Sequence, residues 1–265
     1  MTGDRIDTTV VHAARRYDYW LGGRDNFAVD RESGDQIAAL YPWTPMWARE
    51  NRAFLGRAVE YLAGEAGIRQ FLDVGTGLPT ANNVHEVAQR VAPESRVLYV
   101  DNDPLVMAHA RALLGGSAPG RTQFLESDFL RPDDILSAAS RGSVLDLGEP
   151  VALMLVALVH LIPDAQDPLA AARTLLDALP SGSYLVMSHG TADFMTADAL
   201  ADVPEFQRLA TFQMRTDAEI RPFFEGTELV DPGLVCITDW RSPLPEADRP
   251  DPSHVGCYGA VGRKE

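Results

Sequence analysis

The sequence predicts a doubly wound α/β fold, with a mostly parallel sheet beneath a helical N-terminal cap. From residue 68 onward, short apolar runs alternate with helical stretches, the pattern of right-handed βαβ units. The run at 150–158 is unbroken in its apolar character, as suits a central parallel strand covered on both faces. A glycine-bearing turn, Asp73-Val74-Gly75-Thr76-Gly77, closes the first run. There the backbone must turn tightly or approach a ligand closely.

Residues 1–65 read as helical and polar. Phe54, Leu55, Ala58, Val59 and Leu62 stand at helical spacing between 48 and 62, and Gly64 and Gly67 end that stretch. The first strand is expected at 68–74, followed by a helix from about 80 to 91. A second strand at 96–100 ends at Asp101-Asn102-Asp103. Asp103 caps the next helix, Pro104 occupies its first turn, and the helix runs towards Gly115. The third strand, 122–126, ends at Ser127-Asp128-Phe129. Strand 150–158, helix 168–179 and strand 183–188 complete the alternation.

Helical sequence at 196–213 is inserted after the fifth strand. Thr216 and Glu219 form a capping-box pattern that opens a helix stopping at Gly226. Strands at 234–240 and 255–261 are joined by a Pro- and Asp-rich loop, 243–252, which permits antiparallel pairing. The expected organisation is one domain over 1–265: a cap or lid (1–65), a cofactor-binding core (66–190), and acceptor-pocket helices with antiparallel strands (191–265).

Charge narrows the partners. The 265 residues carry 38 acidic against 23 basic side chains, a net charge of -15. The basic cluster Arg15, Arg16 and Arg24 is interleaved with Asp18, Asp25 and Asp30, which argues against nucleic acid and anionic membranes. The apolar run 151–159 is too short to span a bilayer, and the first twenty residues lack a continuous apolar stretch. A cytoplasmic protein is the expectation. Two cysteines, Cys236 and Cys257, make no disulfide framework, and no spacing suggests a metal site. Oligomeric state stays open.

A lone Gly-x-Gly is a weak signal, since many such turns only join a strand to a helix. Two further features strengthen it. Asp101 stands at the second strand end, where a carboxylate accepts from both ribose hydroxyls. Asp128 stands at the third, positioned to accept from an adenine amine with Phe129 covering the base. Thr76 and Asn102 lie within the same turns and belong to the same candidate cofactor site. A dinucleotide fold would place a third glycine at position 80. Here Thr80 follows Pro79, which has no N–H to donate. Asp73 and Asp101 would repel a diphosphate but favour the sulfonium and ammonium of S-adenosylmethionine. An NAD-dependent oxidoreductase is therefore disfavoured.

These residues support a resemblance. Residues 69–80 (RQFLDVGTGLPT), 83–89 (NVHEVAQ) and 99–104 (YVDNDP) are similar to an actinobacterial SAM-dependent methyltransferase-like family, formerly a domain of unknown function. The N-terminal stretch 17–27 (YDYWLGGRDNF), 188–191 (SHGT) and 258–263 (YGAVGR) resemble it too. The resemblance implies a class I methyltransferase, Rossmann-like fold with a seven-stranded sheet whose last strand is antiparallel. It also implies SAM contacts at Asp73, Gly75, Gly77, Asp101 and Asp128. Fold alone does not establish catalysis.

Within 17–27, Tyr17 and Asn26 are expected either in a lid over the cofactor crevice or in a helix–turn–helix packing element that buries Tyr17 and Trp20. His160 directly follows the fourth strand and is the candidate general base, with a structural histidine as the alternative. His189, after the fifth strand, reads as a structural histidine or as a hydrogen-bond partner for substrate, and His85 reads as structural. Phe194, Met195, Phe206, Phe212 and Met214 suit an aromatic or lipophilic acceptor, or plain core. The expected function is SAM-dependent methylation of a small molecule, at a hydroxyl or amine, in secondary metabolism. The alternative is a non-catalytic SAM-binding sensor or regulator.

Overall fold

A computed structural model describes residues 6–114, 121–142 and 144–265. Three helices come first: α1 (Ala13–Trp20), α2 (Ala28–Leu40) and α3 (Thr44–Gly64). The His12 ring accepts from Ala14 N–H at the start of α1, and Asp30 within α2 accepts from Phe27 N–H. Pro45 sits in the first turn of α3, where its missing N–H costs nothing. Trp47, Phe54, Leu55, Val59 and Leu62 are buried along one face of this helix.

The alternating part follows as β1 (Gln70–Val74), α4 (Val84–Val91), β2 (Arg96–Asp101), α5 (Pro104–Leu114), β3 (Thr122–Glu126), α6 (Pro132–Ser140), β4 (Ala152–Val156), α7 (Pro168–Asp177) and β5 (Tyr184–Gly190). Then come α8 (Ala197–Leu200), α9 (Val203–Ala210), α10 (Asp217–Ile220), β6 (Thr227–Leu229), β7 (Val235–Cys236), α11 (Pro252–Val255) and β8 (Cys257–Lys264).

The strands lie in the order β3-β2-β1-β4-β5-β8-β6, with β7 pairing β8 off that path. β1 to β5 are mutually parallel, and β8 runs antiparallel to β5. β6 is antiparallel to β8, so it points the same way as the parallel set. The seven-strand path and the antiparallel last strand match the expected fold class. Strand order reverses between β1 and β4, and a crevice opens beyond their carboxyl ends.

Alternation along each strand divides the core in two. Phe71, Tyr99, Met154 and Val186 face α3 and α4. Leu72, Leu98, Leu153 and Leu185 face Ile135 of α6 and Leu175 of α7. The N-terminal helices are tied to this body by a buried ion pair. Arg15 donates from Nε and Nη2 to the two Asp103 carboxylate oxygens, both at 3.2 Å.

Several boundaries differ from expectation, each for a local reason. The helix after the glycine turn starts at Val84 because Asn82 adopts a left-handed φ of 60° and Glu86 accepts from Asn83 N–H. The strand expected at 234–240 shrinks to Val235–Cys236: the chain turns as Asp239 N–H bonds Cys236 O, and Arg57 takes the Ile237 and Trp240 carbonyls. Helix α6 and strand β6 were not expected, although Pro132 with Asp133 and Asp134 is a helix-start signal. Gly115, the expected stop of α5, lies outside the described residues. No described helix is long and apolar enough to cross a membrane.

Candidate active site

Beyond the ends of β1, β2 and β4 lies a cavity of about 420 Å³, within the usual range for small-molecule sites. Its walls come from the strand ends, α1, α3, the segment after β4, and residues 195–214.

The strand-end half is polar. Gly75 and Gly77 have φ of +73° and +68°, conformations that disfavour any L side chain. A Cβ at Gly75 would lie 2.6 Å from Leu158 Cδ1, so the loop also needs the missing side chain for space. Gly75 N–H donates to Val100 O at 2.8 Å, and Gly77 N–H donates to Asp101 Oδ2 at 2.8 Å. Asp101 Oδ1 accepts from Asp103 N–H at 2.9 Å. Thr76 Oγ1 donates to Asp73 Oδ2 at 3.2 Å. Asn102 Nδ2 donates to Asp128 Oδ2 at 3.0 Å, while Asp128 Oδ1 accepts from Leu130 N–H at 2.8 Å. Phe129 is buried beside them.

Burial pushes the Asp73 carboxyl up to about 7, against the opposing pull of Arg52 and the Thr76 hydroxyl. Burial also raises Asp101, opposed by the N–H groups of Asp103 and Gly77. A cation placed between these acids would relieve the strain of keeping them charged. Arg52, on α3, also lines the cavity. Its Nη2 donates to Ala81 O and Asn82 O, and its buried Nε has no hydrogen-bond partner among the described residues.

The opposite half is aromatic. Trp47 is its hub, with ring centroids 5.6 Å from Tyr17, 5.7 Å from His160 and 6.3 Å from Phe212. His160 stacks on Phe212 at 4.1 Å. Phe206, Met195 and Met214 add apolar wall. One polar thread crosses it. Tyr17 Oη donates to Ala48 O and accepts from Asn51 Nδ2, each at 2.9 Å; Ser188 Oγ donates to Asn51 Oδ1 at 2.5 Å. Ser188 Oγ in turn accepts from Ala157 N–H, whose residue sits at a left-handed φ of 55° at the end of β4. Burial pushes the Tyr17 phenol up to about 12, so it keeps its proton at neutral pH.

Of the residues singled out in the sequence, Asp73, Gly75, Thr76, Gly77, Asp101, Asn102, Asp128, Phe129, Tyr17 and His160 all line this cavity. Asn26 does not. Its Nδ2 donates to Asp18 Oδ2 at 2.8 Å and to Gly23 O at 3.1 Å, so it organises the turn after α1. Gly23 is required there, because a Cβ would fall 2.0 Å from Asp18 Oδ1. Tyr17 packs against Trp47 and lines the cavity. His189 is fully buried away from the cavity, and His85 bonds the Tyr99 hydroxyl at 2.8 Å. Arg52, Trp47 and Asn51 were not anticipated, since on α3 they look like ordinary amphipathic-helix positions. Among the described residues, no cluster of His, Cys, Asp or Glu is placed to hold a metal ion.

Comparison with known proteins agrees with this arrangement. No curated protein matches the chain. A solved DUF574 family protein from Streptomyces avermitilis is 48% identical, superposes with a TM-score of 0.91, and is matched over 98% of this chain and 100% of its own. A candidate methyltransferase from Thermobifida fusca is 39% identical, with a TM-score of 0.90 and coverage of 98% and 97%. The N-methyltransferase NodS from Bradyrhizobium japonicum, solved with S-adenosylhomocysteine, shares the fold at 12% identity and a TM-score of 0.51, over 95% of this chain and 98% of that one. The family model described as S-adenosyl methyltransferase matches residues 1–265. The chain therefore belongs to the S-adenosyl methyltransferase family, with S-adenosyl-L-methionine as its cofactor.

Proposed function

We propose that the strand-end half of the cavity holds the cofactor and that the aromatic half receives a small-molecule acceptor bearing a hydroxyl or amine, in cytoplasmic secondary metabolism. The observation that carries this reading is continuity: one cavity runs from Asp73, Asp101 and Asp128 to Trp47, His160 and Phe212. The residues suit the cofactor's charges. Asp73 offers an anion to an ammonium, and the unpartnered Nε of Arg52 offers a donor to a carboxylate. Asp101 suits ribose hydroxyls, and Asp128 with Phe129 suits an adenine edge and face. The cap residue Tyr17 lines the same cavity beside Trp47.

S-adenosylmethionine supplies a methyl group on a sulfonium, which is already a good leaving group. The task left to the chain is to hold the acceptor close and aligned in a space that excludes water, and the aromatic walls do this. His160 was the candidate base. Its Nδ1 accepts from Gly190 N–H at 3.4 Å, and burial, then His189 and Arg215, hold its pKa well below the ordinary histidine value. Both facts weigh against proton abstraction by this ring. They suit an amine, or an oxygen that loses its proton readily.

The test is incubation with S-adenosylmethionine and a panel of flat aromatic alcohols, phenols and amines. The readout is S-adenosylhomocysteine release together with the mass of the methylated product. Turnover with at least one class is expected. Tight cofactor binding with no turnover across the panel would move the reading to a cofactor sensor, the alternative favoured by the weakness of His160 as a base.

A further inference from the structure

Two buried histidines meet behind the aromatic half of the cavity, with ring centroids 5.6 Å apart. Their environment is set by Arg215, itself only 4% exposed. Arg215 donates to Val159 O at 3.2 Å and Ile162 O at 2.9 Å, one residue before and two after His160, and to Asp164 Oδ1 at 2.6 Å. Gln213 N–H donates to His160 O at 2.7 Å. The stretch 213–215 is thus strapped across the turn that carries His160.

The sense of each hydrogen bond follows from groups that only donate. A guanidinium has no acceptor, so His189 Nε2, 2.8 Å from Arg215 Nη1, must be the bare nitrogen. The His189 proton then lies on Nδ1, which is 2.8 Å from Gly190 O and donates to it. The N–H of the same glycine donates to His160 Nδ1. His160 Nδ1 is therefore also bare, and its proton lies on Nε2. The two neighbouring rings hold opposite tautomers.

We infer that the Gly190 N–H, which can only donate, fixes His160 as the Nε2–H tautomer, so that His160 gives a hydrogen bond to a lone pair of the methyl acceptor instead of taking its proton; Arg215 and His189 hold Gly190 in place through its carbonyl. The donation to an acceptor rests on the assignment of the aromatic half proposed above; the tautomers do not. Arg215 and His189 are positioning residues. Protonating His160 would place a second cation beside Arg215 in an interior faced by Phe212, Trp47 and His189, and Asp164 is already engaged by Arg215. Gly190 has its own part: a Cβ there would lie 2.4 Å from the Phe212 ring, displacing the ring that stacks on His160. The acceptor this site selects carries an oxygen or nitrogen lone pair next to its nucleophile and supplies that nucleophile without a histidine base.

The experiment is long-range proton–nitrogen NMR correlation on the full chain labelled with 15N-histidine, with His160→Gln and His189→Gln for assignment. The expected spectrum has His160 protonated at Nε2 and His189 protonated at Nδ1, and neither ring titrating between about pH 5 and 8. His160 protonated at Nδ1, or titrating in that window, overturns the inference. In Arg215→Gln the His189 pattern is expected to change. His160 is expected to stay protonated at Nε2 in that variant, because the Gly190 N–H still donates to its Nδ1; a His160 tautomer that switches in the folded variant overturns the inference, and if the variant fails to fold, the wild-type spectrum decides. Thermal shift with S-adenosylhomocysteine on the same samples separates the two claims. A shift with reversed tautomers sinks the inference alone. No shift with the expected tautomers sinks the reading of the cavity and leaves the tautomer assignment intact.

Discussion

The two halves of the cavity are built in opposite ways. The acids and glycines of the cofactor half come from short, contiguous segments, residues 73–77, 101–103 and 127–130, each at the carboxyl end of a strand. Its acids are fixed by hydrogen bonds to backbone a few residues away, as Asp101 is by Asp103 N–H and Asp128 by Leu130 N–H. The aromatic half is assembled from pieces far apart in the chain, with Tyr17, Trp47, His160 and Phe212 each from a different segment. Sheet topology positions the acids of the first half, to which α3 adds Arg52. The second exists only when the cap and the 195–214 insertion are packed in place. This predicts that cofactor binding and acceptor binding respond to different substitutions.

The largest expected effect comes from cutting the joint between them. Asp103→Asn leaves Arg15 buried without its charge partner, and a change of this kind costs about 3–5 kcal/mol. Urea denaturation should show that loss. A cost near zero would mean the cap is not held by this pair. Next in size is Asp101→Ala, which removes a buried carboxylate worth about 3 kcal/mol in hydrogen bonds to a bound ribose, or about a hundredfold in affinity. Calorimetry with S-adenosylhomocysteine reads it directly.

Smaller, and specific to the cofactor half, is a pH dependence. Asp73 has its folded pKa raised above the ordinary 3.8 to about 7. Across that window the folded protein binds a proton that the unfolded chain does not. The free protein therefore loses stability as pH rises from the lower value towards the upper. A ligand ammonium, which S-adenosylhomocysteine carries as well, needs the carboxylate charged, so the affinity should rise by up to about tenfold per pH unit below 7 and level off above it. The thermal shift given by S-adenosylhomocysteine, measured across pH, checks the sign. The smallest effect is the most discriminating. Phe212→Ala should change S-adenosylhomocysteine affinity by less than about threefold while raising the acceptor KM, because the ring stacks on His160 and not on a strand-end turn. A large loss of cofactor affinity in this variant would join the two halves that the comparison separates.

The same contrast explains what was legible in the sequence. The alternation of β1 to β5 with helices, the glycine turn and the strand-end acids are local patterns, and apart from helix α6 they lie where periodicity and turn chemistry placed them. Asn26 was misplaced because a polar residue near two glycines looks the same whether it faces a ligand or, as here, holds Asp18 and the Gly23 carbonyl. Arg52 and Trp47 carry no local signal, since only the packing of α3 across the sheet brings them to the cavity. The contacts of Arg215 were invisible for the same reason. They join residue 215 to residues 159–164 and 189, and are made by the return of the chain after α9. The overextended strand at 234–240 failed through another long-range effect, as Arg57 of α3 captures carbonyls that would have continued a ladder.

Hydrogen exchange with and without S-adenosylhomocysteine tests the division of the cavity most directly. The account predicts new protection at 73–78, 101–103 and 127–130, extending to the Tyr17 region of α1, with residues 203–214 little changed. Protection concentrated in 203–214 with none at the three strand-end turns would contradict it.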